Sequence, residues 1–175
     1  MRTEFTKLNT EWDAEPSDPR PTIRIVSSDL SLTFFLNAYV DPAFREYDRG
    51  ALTFTNCWRY RLGPTNDEGW YKGHCRFKCW APDWGDFYEV AGDIREHGPK
   101  DWVLVGPAPQ APTRHFLFYF KDNTFECDAS DWDFLVLRVS DAEYASFRSA
   151  ETKVSLGHST IALRGRLDVD GENDN

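Results

Sequence analysis

The most constraining feature of this chain is the segment Ala51–Leu62, which alternates almost without fault. Leu52, Phe54, Trp58, Tyr60 and Leu62 point one way, and Thr53, Thr55, Cys57, Arg59 and Arg61 point the other. A period of two places successive side chains on opposite faces of an extended chain, so the segment reads as a half-buried β-strand. Only Asn56 interrupts the apolar set. Trp70–Trp80 repeats the pattern, with Tyr71, Cys75, Phe77 and Cys79 on the face of Gly73 and Lys72, His74, Arg76 and Lys78 opposite. Between the two lies Gly63-Pro-Thr-Asn-Asp-Glu-Gly69, rich in turn formers.

Two alternating segments around a turn predict a hairpin. For polar side chains to face one another across it, paired residue numbers must sum to an odd value. A sum of 131 sets Arg59 opposite Lys72, and 133 sets Arg61 opposite Lys72 with Arg59 opposite His74. Either register gathers Arg59, Arg61, Lys72, His74, Arg76 and Lys78 on one face, and residues 51–62 and 70–80 contain no Asp or Glu. Like charges directly opposite destabilise a sheet, so this stripe needs negative charge or water. Carboxylates from elsewhere in the chain, with Glu89 and Glu126 as candidates, are one source. Solvation of the long side chains is another. The functional reading is a site for a small anionic ligand, formed by Arg59, Arg61, Lys72, His74 and Arg76, since arginine's planar fork suits carboxylate and phosphate groups.

The rest of the chain continues in the same style. Thr22–Ser27, Leu30–Ala38, Phe87–Ala91, Trp102–Val105, Arg114–Phe120, Phe134–Val139 and Thr160–Val169 read as strands. Asp122-Asn123 turns Arg114–Phe120 into Thr124–Ala129. Helical signals are short. Asp41-Pro42 is a cap followed by proline, with Gly50 able to stop the turn, while Asp93–Glu96 and Ser140–Glu143 have capping-box spacing. The second box opens a helix over 141–150 with Tyr144 and Phe147 on its inner face. The expected fold is mainly β, or α+β: an antiparallel sandwich or open barrel with one or two short helices. The 13 Phe, 7 Tyr and 7 Trp agree with sheets, where large flat side chains pack well. Residues 1–21 form an acidic, irregular lead-in, 22–167 a single β-rich domain, and 168–175 a disordered acidic tail.

Charge narrows the function. With 20 basic and 29 acidic residues the net charge is −9, which argues against nucleic-acid binding and for solubility. No run approaches the roughly 18 apolar residues of a membrane span, and the start lacks an apolar signal core, so a cytoplasmic protein with free thiols is expected.

The remaining chemical candidates have simpler structural explanations. Cys75 and Cys79 are spaced Cys-x3-Cys, and with Cys57 and Cys127 they read as buried thiols rather than a metal site. Glu126 and Asp128 share one face of their strand, which reads as the hairpin's solvent face. His115 heads the strand before it, without an identifiable partner. P-loop, nucleophile-elbow, metalloprotease and dinucleotide motifs are absent, and no cofactor is implied. Trp80-Ala-Pro-Asp-Trp84 places two indoles in a turn, a composition that anchors interfaces, so Trp80, Asp83 and Trp84 are candidate partner contacts. The leading expectation is a non-catalytic binding protein that recognises another protein, in the manner of an inhibitor or immunity-type protein. An anion-binding β-barrel or sandwich comes second and a hydrolase-like enzyme without a short motif third.

Overall fold

A computed structural model describes residues 3–64, 66–74, 77, 83–92 and 101–150. Its contacts divide the chain into two units, Met1–Arg138 and Val139–Asn175. In the first unit the order is β1 (Glu4–Lys7), β2 (Thr22–Val26), β3 (Asp29–Phe35), β4 (Arg49–Thr55), β5 (Arg59–Gly63), α1 (Asp67–Tyr71), β6 (Phe87–Ala91), β7 (Val103–Leu104), β8 (Arg114–Tyr119), β9 (Thr124–Ala129) and β10 (Asp131–Leu137). All described strand pairs are antiparallel and form two open sheets, β1-β6-β8-β9-β5-β7 and β10-β4-β3-β2. The expected mainly β, antiparallel architecture holds, and its form is a sandwich rather than a closed barrel.

The core lies between the sheets and is built largely from phenylalanine. Leu30, Leu32 and Phe34 of β3 and Leu52 and Phe54 of β4 meet Phe87, Phe116, Phe118, Phe125 and Cys127 of the larger sheet, all within 1% of full burial. Phe54 lies 5.3 Å from Phe116 and 5.4 Å from Phe125, and Phe34 meets Phe118 edge to face at 5.2 Å. Such offset and edge-on contacts suit the ring quadrupoles. Trp12 seals one end by stacking on Phe134 at 4.3 Å. The first 21 residues are therefore not wholly irregular: β1 is paired to β6, Trp12 is core, and Ala14 bridges to Leu36.

The predicted strand 51–62 is two strands in different sheets. Asn56 adopts a left-handed φ of 49°, a conformation asparagine tolerates better than branched residues. Its N–H donates to Asp29 Oδ1 at 2.9 Å, and its Oδ1 accepts from Ser28 Oγ. From this corner β4 pairs with β3 and β10, while β5 pairs with β9 and β7.

Among the described residues the predicted hairpin between 51–62 and 70–80 does not form. Asn66 caps a short helix instead, its side chain accepting from Gly69 N–H, with Asp67 and Glu68 in the favourable first turn. Residues 75, 76 and 78–82 lie outside the described residues, so the placement of Cys75, Cys79 and Lys78 is not described either.

Other local expectations fare unevenly. The β8–β9 hairpin forms, closed by Phe120 N–H to Asn123 C=O at 2.8 Å. Asp41 does cap a turn, accepting from Ala43 N–H, but no helix follows. In the second unit residues 141–150 are helical. Ser140 and Glu143 exchange the reciprocal bonds of a capping box, and Tyr144 and Phe147 are the half-buried positions. The Asp93–Glu96 box, the strand at 160–169 and the tail at 168–175 fall outside the described residues. Among the described residues no helix is long and apolar enough to cross a membrane.

Candidate functional site

The outer face of the larger sheet carries a buried network of charges. In β9 the even-numbered residues Thr124, Glu126 and Asp128 face away from the Phe125–Cys127 side. Register places Asp128 between His115 of β8 and Arg59 of β5, and Glu126 beside Arg61 one row on. Cross-strand neighbours of this kind lie within side-chain reach, directly or on the diagonal. Arg59 Nε donates to Asp128 Oδ2. Arg61 bonds Glu126 Oε1 at 2.8 Å and Asp101 Oδ2 at 3.2 Å. Between the two carboxylates sits His115, whose Nδ1 lies 2.7 Å from Asp128 Oδ1 and Nε2 3.0 Å from Glu126 Oε2.

His115 is 3% exposed, Glu126 1% and Asp128 4%. The sheet's outer face is covered here by a second apolar cluster, in which Phe77, Tyr88, Val90, Leu117 and Tyr119 pack with Phe5, Trp70 and Trp84. Phe77 and Trp102 present edges to the imidazole at 6.3 and 6.2 Å. The Arg59 guanidinium lies 4.4 Å from both Trp58 and Trp102, a cation–π clamp. Glu126 and Asp128 do share one face, as expected, but it is not a solvent face: the covering side chains bury it.

Both imidazole nitrogens face carboxylate oxygens, and with Asp128 and Glu126 ionised each oxygen is an acceptor that pairs with an N–H, which is the doubly protonated ring. Burial works against this charge, but the hydrogen bonds and charges of Asp128 and Glu126 outweigh it and hold the His115 pKa above its ordinary value. Burial likewise opposes ionisation of Asp128, and His115 and Arg59 overcome it, leaving that carboxyl below its usual range. Arg59, Arg61 and His115 thus supply three positive charges against the three carboxylates Glu126, Asp128 and Asp101. In this state the imidazole has no lone pair to accept a proton from a substrate, and the described partners are engaged with one another. The arrangement locks β5, β8 and β9 together. Cys127 occupies the opposite, core side of β9, and burial, then the neighbouring Cys57, push its thiol well above its ordinary pKa. Among the described residues no group of three metal-ligating side chains could hold an ion.

The residues singled out from sequence scatter around this network. Arg59 and Arg61 are in it, each against a carboxylate of the chain, so an external anion would have to displace that partner. Lys72 pairs with Glu68 at 3.2 Å on exposed helix surface, and His74 is exposed after the same helix. Arg76 and Trp80 lie outside the described residues. Asp83 is exposed, and Trp84 is half-buried, stacked on Tyr119 at 4.9 Å. Glu89 takes up Arg114 through two hydrogen bonds of 2.9 and 2.7 Å rather than the basic stripe. Asp101 as a partner of Arg61, and Asp128 as the counter-charge of Arg59, were not among the expectations from sequence. A usable signal existed, since acids two apart on β9 match arginines two apart on β5.

Exposed apolar side chains include Val103 and Leu104 beside Arg59 and Tyr71 beside Lys72, but the most exposed adjacent pair among the described residues lies elsewhere. Tyr39 is 85% and Val40 67% exposed, side by side on the loop after β3. The loop is braced on both sides: Asn37 Oδ1 accepts from Tyr39 N–H at 3.0 Å, and Asp41 Oδ1 from Ala43 N–H at 2.8 Å. Asp41, Ala43 and Phe44 continue from it into the wall of a cavity of about 790 Å3 at the Trp12 end of the sandwich. Comparison of the chain with protein-family models, curated proteins and solved structures finds no match.

Proposed function

We propose that the chain is a non-catalytic binding domain that recognises another protein. What carries the reading is the Tyr39–Val40 tip, two adjacent apolar side chains held out on a loop braced by Asn37 and Asp41. Single exposed apolar residues are ordinary on any surface. An adjacent pair on a braced loop is a different case, because bracing removes part of the ordering cost of an interface, and tyrosine is among the side chains that most often anchor one. The described chemistry of the His115 network is directed inward, which leaves recognition rather than proton transfer as the function the geometry favours. The net charge of −9 suits a partner with a basic surface, as for an inhibitor of a basic enzyme.

Paired affinity capture tests this. Wild-type chain should retain a stoichiometric protein partner from its native cell, and the double variant Tyr39→Ser, Val40→Ser should lose it while keeping the wild-type melting temperature. Failure to retain any partner, or equal retention by the variant, overturns the proposal.

A further inference from the structure

The cavity at the Trp12 end of the sandwich has the chemistry of a ligand site. Its volume, about 790 Å3, falls within the roughly 300–1,000 Å3 typical of small-molecule pockets. Its walls are aromatic: Trp12 stacked on Phe134 at 4.3 Å, with Trp132 from the same strand as Phe134 and Phe44 from the loop opposite. The charged groups lining it are two carboxylates, Glu11 and Asp41. A described cation beside this wall, Arg138, lies over the Phe44 ring at 5.7 Å and is already committed, donating to Asp48 Oδ2 at 2.7 Å and to the Ala43 carbonyl at 2.6 Å. The charged side chains on the wall itself are thus two carboxylates beside electron-rich ring faces.

We infer that this cavity binds a small amphiphilic cation, an aromatic or alkyl body bearing one ammonium group. Apolar walls take the body, and ring faces attract a cation as well as a hydrocarbon. The carboxylates select the charge: an anion would be repelled by both, and a neutral ligand would gain nothing from them. The cation over Phe44 shows that this cluster of rings already accommodates one. The inference is distinct from the protein-recognition reading, although Asp41 both braces the Tyr39–Val40 loop and lines the cavity. It concerns a free small molecule and the wall of the cavity, whereas Tyr39 and Val40 lie outside that wall.

The test uses the full chain with three matched probes, 4-phenylbutylammonium, 4-phenylbutanol and 4-phenylbutyrate, titrated by calorimetry while the indole N–H signals are followed by NMR. The Trp132 indole signal, assigned with Trp132→Phe, should move on addition of the ammonium. Its affinity should exceed that of the alcohol by about five- to tenfold, the scale of two partly exposed ion pairs, with the butyrate weakest. Glu11→Gln with Asp41→Asn should bring the ammonium down to the alcohol's affinity, since asparagine can still accept from Ala43 N–H. If that variant fails to fold, raising sodium chloride to 0.5 M must weaken the ammonium and not the alcohol. Equal affinities for ammonium and alcohol, a stationary Trp132 signal, no binding of any probe, or a preference that survives both carboxylate removal and salt would overturn the inference.

Discussion

Replacing His115 by phenylalanine isolates the part of the structure most dependent on charge. The ring keeps its approximate size and its aromatic neighbours Phe77 and Trp102, so packing changes little. What disappears is the pair of N–H donors to Asp128 and Glu126. Each bond to a charged group contributes on the order of 1.5–3 kcal/mol, and removing one partner of a buried ion pair costs about 3–5 kcal/mol because the other is left desolvated. Arg59 and Arg61 still hold the two carboxylates, which places the expected loss near 3–5 kcal/mol. That is a large share of the roughly 5–15 kcal/mol by which domains are stable.

Urea denaturation followed by tryptophan fluorescence across pH adds a sign to this magnitude. The folded pKa of His115 is raised above its ordinary value of 6.5. Below 6.5 both states are protonated, so its stabilisation is fully present and the slope is zero. Above 6.5 the unfolded chain releases the proton while the folded one keeps it. Stability therefore falls by about 1.4 kcal/mol per pH unit until the folded pKa is passed, after which the contribution is gone. The wild-type minus variant difference should follow that course. At the acid end Asp128, whose folded pKa is lowered, contributes stability that is present above its ordinary 3.8 and lost as pH falls through the folded value. A variant within about 1 kcal/mol of wild type, or a difference that stays flat or rises above pH 6.5, would show that His115 is not held as an imidazolium.

Two further substitutions probe the sandwich. Asn56→Val forces a branched residue into the left-handed corner and removes the acceptor for Ser28, and should cost at least about 1–2 kcal/mol, while Asn56→Gly should stay within about 1 kcal/mol of wild type; urea midpoints compare the two. In Gly50→Ala the new Cβ would meet Phe34 Cζ at 2.8 Å and Phe134 Cε2 at 2.9 Å. Because Phe34 is fully buried, the overpacking should cost about 1–3 kcal/mol and lower the melting temperature measured by calorimetry.

Alternation in the sequence revealed which face a residue occupies but not which sheet it belongs to. Leu52 and Phe54 face the core from one sheet, and Tyr60 and Leu62 face it from the other, because parity is recovered after the corner. Within it the expected faces are exchanged, Cys57 lying in the core and Trp58 against Arg59. An unbroken period thus concealed a corner, and the single irregularity in it, Asn56, was the corner's mark. Thr53 and Arg59 consequently lie on opposite outsides of the sandwich rather than along one stripe. At residues 70–74 the alternation was fortuitous. The stronger local signal was Asn66 followed by two acids, which caps and starts a helix where a strand was expected.

The network around His115 was half legible for a related reason. Two basic residues two apart and two acids two apart are complementary on adjacent antiparallel strands, and both pairs were visible. Assigning the acids to solvent assumed that a two-layer sandwich has one covered face per sheet. Phe77, Trp70 and Trp84 add cover to the larger sheet's outer face, and Trp102 closes over Arg59, so the same side chains that would be solvated in a bare sheet must neutralise one another. Of these covering residues Trp84 comes from the turn that looks like an interface loop when read alone, and Trp70, Phe77 and Trp102 from segments that read as strands. Their burial and the pairing of the charges require each other: without the aromatic cover the ions would be solvated and weakly coupled, and without the matched ions the cover would desolvate unpaired charges at a cost of several kcal/mol each.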